Sequence, residues 1–148
     1  MKKLSSIGLL LAVFAFMALQ NAHAQSENAI DMFKKHINKV VQKVEKAHDP
    51  SVKREVLNDS FDDLLNSFAR VENVKTLSSA DQTALNKLKN NITQKRNELN
   101  GLNGYKRVQN NQLNNFANFV QQDLEQADRT ITISLTVLLL IVIILILL

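Results

Sequence analysis

Along the middle of the chain, apolar residues recur at three- and four-residue steps, the period of a helix that buries one face. In a first segment, about 27–48, Ile30, Phe33, Ile37, Val40, Val41 and Val44 make the apolar stripe, and Lys34, Lys35, Lys39, Lys43 and Lys46 occupy the rest. Asp49-Pro50 then reads as a helix restart, with the aspartate as N-cap and the proline at the first helical position, where its missing N–H costs nothing. A second segment, 51–73, carries Leu57, Phe61, Leu64, Leu65, Phe68 and Val71, flanked by Asp59, Asp62 and Asp63. A third, 79–100, opens on a cap signal, either Ser78 with Asp81 or Ser79 with Gln82. Its stripe of Leu85, Leu88, Ile92 and Leu99 is interrupted near Lys95 and Arg96, whose aliphatic stems can cover the gap, and Asn100-Gly101 supplies a C-cap. A fourth, 104–128, starts near Gly104 or Tyr105 and carries Val108, Leu113, Phe116, Val120, Leu124 and Ala127.

The two ends do not share this amphipathic pattern. Between Ile131 and Leu148 only Thr132, Ser134 and Thr136 are not Leu, Ile or Val. As one helix this stretch is about 27 Å long, close to the hydrocarbon thickness of a bilayer. At up to about −0.5 kcal/mol per residue its apolar side chains give roughly −7 kcal/mol toward insertion. With no polar face to turn to water, and with a backbone that only a helix satisfies in lipid, the stretch predicts a transmembrane helix over 129–148. No proline or glycine separates it from the fourth segment, which predicts either a continuous helix or a bend near Asp128 to Thr132. At the other end, Lys2 and Lys3 precede an apolar run from Ile7 to Leu19, and Ala22-His23-Ala24 makes a small-x-small cleavage site. This is the pattern of a bacterial secretory leader over 1–24, with Gln25 as the mature N-terminus; an uncleaved anchor would need about 20 apolar residues.

The expected architecture is therefore all-α. It is an up-down bundle of four amphipathic helices over 25–128, the last leading into a C-terminal transmembrane helix. Scarce glycine and a single proline, Pro50, leave strands and hairpins without their turn residues. With the bundle exported, orientation rests on the leader. The residues ahead of the tail lack the small attachment site and polar spacer of a glycolipid-anchor signal, and no basic residues close the tail as in a sortase-type signal.

Candidate chemistry adds little. The chain has no cysteine, which removes disulfides, thiolate catalysis and Cys-ligated metals. Outside the leader the histidines are His36 and His48; Glu45 stands three positions before His48, but neither histidine belongs to an HExxH pattern. A surface position fits both. Asp59, Asp62 and Asp63 lack the glycine and spaced oxygens of a calcium loop. Nucleophile elbow and phosphate loop are both missing. Asn58-Asp59-Ser60 and Asn91-Ile92-Thr93 match the glycosylation pattern, which a bacterial source would not use. No catalytic, cofactor-binding or metal-binding residue is assigned, and a net charge of +4 is too small to argue for nucleic acid. The asparagine- and glutamine-rich stretch from Asn86 to Gln126 reads as polar exterior, with Phe116 in the core and Phe119 at its edge.

These features imply a non-enzymatic envelope protein with a lipid bilayer as partner through Ile131–Leu148, binding another protein or itself, with no small-molecule substrate evident. Two alternatives stand beside it: a membrane-inserting protein, from the tail and the lysine-rich first segment, and a periplasmic helical chaperone. The second rests on Leu77-Ser78-Ser79-Ala80-Asp81-Gln82, which is similar to the Leu-Thr-x-x-Gln motif of periplasmic stress chaperones but departs from it in the threonine and the spacing. Helix capping accounts for the same residues.

Overall fold

In the computed structural model, residues 22–130 and 133–148 are described. Most of the expected leader, at residues 1–21, and Ile131-Thr132 lie outside that range. Five helices pack together: α1 (Ala22–Lys46), α2 (Pro50–Glu72), α3 (Ser79–Asn100), α4 (Leu113–Thr130) and α5 (Leu135–Leu147). A short 3-10 turn, Asn110–Gln112, leads into α4. No strand occurs among the described residues.

The boundaries follow local chemistry. The Asp49 carboxylate accepts from the Ser51 N–H, and Pro50 sits in the first turn of α2. Of the two cap pairs available to α3, Ser78 with Asp81 is used: the Ser78 Oγ accepts from the Asp81 N–H at 3.0 Å and donates to the Asp81 carboxylate at 2.8 Å. Gly101 ends α3 at a φ of 70°, the left-handed conformation that favours glycine.

The apolar stripes meet in one core, where Leu57, Phe61, Leu64, Phe68 and Val71 of α2 are buried against Ile37, Val41, Val44, Leu85, Ile92, Leu99, Leu113, Phe116, Val120 and Leu124. Phe61 and Phe116 meet edge to face, with centroids 6.5 Å apart. Helix α2 touches each of the four other helices.

Two expectations are corrected. The fourth helix starts at Leu113, not near Gly104. Asn103 and Gly104 take positive φ values of 53° and 83°, and the chain then doubles back so that the Val108 N–H donates to the Glu98 carbonyl. Val108 thus packs against the core from a loop rather than from a helix. The second correction concerns the tail. Of the two courses expected for it, the continuous helix is not the one taken, and the tail does not stand apart from the bundle: Ser134 caps a separate helix, α5, which packs against α1 and α2. At 13 residues α5 is about 20 Å long. Among the described residues no helix is long and apolar enough to cross a membrane.

Candidate functional site

The tail and its seat form the most unusual part of the molecule. Ser134 has an extended backbone (φ −68°, ψ 147°), and its hydroxyl accepts from the Val137 N–H, which starts α5. Its own N–H donates to the Asp81 carboxylate at 2.7 Å, so the residue that closes the capping box of α3 also holds the N-cap of the tail helix. The Ser134 N–H, aided by Ser78, holds the Asp81 carboxyl below its ordinary value.

From Ser134 onward α5 divides into two faces that its sequence does not distinguish. Val137, Leu138, Ile141, Val142 and Leu145 are buried, one stripe at helical spacing. Ile143, Ile146, Leu147 and Leu148 are exposed, Leu147 by 76%. The buried face reaches between the helices: a small apolar void is bounded by Phe33 of α1, Phe68 of α2, Leu88 of α3 and Leu124 of α4 together with Leu138 and Ile141. At about 1.5–3 kcal/mol for each fully buried side chain, the docked face gains on the order of 10 kcal/mol before ordering costs. The gain is of the same order as the roughly 7 kcal/mol that the tail offers toward insertion in a bilayer.

The opposite end of the bundle is closed by polar groups. Arg54 of α2 is buried, and its guanidinium donates to the carbonyls of Leu99 and Val108 and to the Asn110 side chain. It thereby satisfies the C-terminus of α3 and pins the loop that follows. Burial, with Arg107 nearby, pulls the Arg54 guanidinium below its ordinary value. Asn58 and Asn100 exchange a reciprocal amide pair beside it. An open cleft of about 530 Å³ lies here, walled by Asp49, Glu55, Asp59, Arg54 and Arg107. Its walls carry both signs of charge and its buried cation is already held by protein acceptors, so the arrangement works as a clasp. The signal for Arg54 that the reading of 51–73 missed is a basic residue on the apolar face, three positions before Leu57.

The other residues weighed from the sequence are dispersed. His36 is half-buried rather than a surface residue, and burial lowers its pKa despite the opposing charge of Asp63. His48 is exposed. Asp62 pairs with Arg96 at 3.0 Å, and among the described residues no three histidine or acidic side chains come together as a metal site. Both glycosylation-pattern asparagines use their amide nitrogens internally, Asn58 with Asn100 and Asn91 with Asp123. Lys95 does cover the gap in the stripe of α3, lying 4.3 Å from the ring centroid of the half-exposed Phe119. Lys35, Lys39, Lys43 and Lys46 of α1 are exposed and pair with no described carboxylate.

Comparison with protein-family models, with curated proteins and with solved structures returns no match.

Proposed function

We propose that the protein is a membrane-anchored module of the bacterial cell envelope, a non-enzymatic helical bundle exported behind the leader 1–24, with the tail as its membrane element. One observation carries the reading. After Thr136 the tail has no polar side chain, and even in the docked arrangement Ile143, Ile146, Leu147 and Leu148 face outward. Contiguous apolar surface of this kind marks a membrane or partner contact rather than a finished exterior. The exposed lysines of α1, Lys35, Lys39, Lys43 and Lys46, which pair with no described carboxylate, support an anionic surface as the partner, since each basic residue near such a surface gains about 1 kcal/mol. The bundle, on the periplasmic side, then serves as the displayed interaction or structural unit.

Carbonate extraction of envelope membranes tests this directly. The full chain is expected in the membrane pellet, and a chain lacking 133–148 in the supernatant. N-terminal sequencing is expected to begin at Gln25. Recovery of the full chain in the soluble fraction would sink the reading.

A further inference from the structure

The tail has two seats of comparable value, the bundle and a bilayer, and one polar contact distinguishes them. Resting on the reading of the tail as membrane element, we infer that Asp81 is a latch: by capturing the Ser134 N–H it holds α5 in the bundle, and its loss shifts the tail into lipid. The argument turns on where one backbone donor goes. In a helix running unbroken from α4 through the tail, the Ser134 N–H would donate to the carbonyl of Thr130. In the docked arrangement it donates to the Asp81 carboxylate, and Ser134 serves as an N-cap with extended backbone. The two partners exclude each other, so Asp81 stabilises the break that lets the tail fold back onto α1 and α2.

Apolar burial cannot hold the tail in the bundle, because lipid tails satisfy Val137, Leu138, Ile141, Val142 and Leu145 as well as the bundle does and would also cover Ile143, Ile146, Leu147 and Leu148. The hydrogen bond can. Its acceptor is charged, and the Ser78 hydroxyl occupies the other carboxylate oxygen, at 2.8 Å, leaving this one to Ser134. A bilayer displaces the tail by favouring the longer helix, in which every amide is paired within the segment. A change worth one such hydrogen bond is enough to move a two-state equilibrium by an order of magnitude.

The test uses the full chain and vesicles of phosphatidylcholine with phosphatidylglycerol, at lipid concentrations where the wild type floats only in part. D81A is expected to raise the floated fraction relative to the unbound fraction by roughly tenfold, the low end for a hydrogen bond to a charged acceptor. D81N, which keeps an oxygen but loses the charge, is expected between the two. S78A loses the same capping box and leaves the Asp81–Ser134 contact, so it is expected to lower stability without raising flotation. Because the chain has no cysteine, F33C and L138C can be joined by a short bis-maleimide across the void that both side chains line. The joined form is expected not to float, and without lipid the yield of joining is expected to fall in D81A.

If D81A and the wild type float alike and join with equal yield, the latch is overturned while the membrane reading survives. If joining falls in D81A but neither protein floats at any lipid concentration, the membrane reading fails and with it the release into lipid. If S78A floats as strongly as D81A, Asp81 acts only through helix capping and the latch is overturned.

Discussion

The two ends of the bundle close the same gap with opposite chemistry. At the end holding the 101–112 loop, Arg54 gathers the Leu99 and Val108 carbonyls and Asn110, and Asn58 pairs with Asn100. At the other end an apolar helix is wedged between α1 and α2 and tied in by the Ser134 N–H on Asp81. Directional bonds fix the first closure to one set of partners. The second rests chiefly on burial, which is indifferent to what does the burying. A polar clasp therefore makes a permanent end, and an apolar wedge makes one that lipid can compete for.

The largest effects should come from separating the core from the wedge. Phe68→Ala removes a fully buried ring shared by the bundle and the void beside the tail. It is expected to cost about 3–5 kcal/mol in urea unfolding, with or without vesicles. Ile141→Ala, equally buried but on the tail, is expected to cost about 2–4 kcal/mol in water and much less once the protein is vesicle-bound. An equal cost in both conditions would show that the wedge never leaves. Next comes the clasp: Arg54→Ala strands the Leu99 and Val108 carbonyls and is expected to lose about 1–3 kcal/mol, with Arg54→Lys recovering part because one ammonium cannot reproduce the fork. That loss should be the same with and without lipid.

Acidification gives a graded test. His36 has a folded pKa below its ordinary 6.5, so the unfolded chain takes its proton first; the stability it contributes is full above that value and is lost as the pH falls through the folded one. Asp81 is likewise lowered, from 3.8, so its contribution is full above that value and is lost only as the pH falls through its depressed folded pKa. Thermal melts across pH should show the two losses in that order. His36→Gln should remove the first and D81N the second. The smallest effect is expected at Lys89, whose ion pair with Glu72 at 2.8 Å is half-exposed: Lys89→Ala should change stability by about 1 kcal/mol or less.

Much of this was legible beforehand where local chemistry decides it. Asp49-Pro50, Ser78 with Asp81, and Gly101 each act on a neighbouring turn, and each does in the structure what its residue type predicts. Most of the residues that periodicity marks are buried, among them Val44, Phe61, Ile92 and Leu124, while Ile30, Phe33, Val40, Leu65, Leu88 and Val108 are half-buried. What could not be read depends on distant partners. The late start of α4 follows from two positive-φ residues, and Asn103-Gly104 is a turn signal that the apolar Val108 obscured. The tail misled for a deeper reason: a helix apolar on all sides has no period to report which face is buried, so its sequence fits a bilayer and a bundle interior alike. Arg54 as a hub depends on carbonyls 45 and 54 positions away.

The contacts of α2 with every other helix give the molecule a hierarchy of opening. Amide protons at the buried centre of α2 are expected to exchange chiefly when the bundle opens as a whole, whereas those of α5 need only the tail to lift. Deuterium uptake should therefore divide the chain into a slow spine and a fast wedge, and the gap between their rates would measure the free energy of lifting the wedge alone.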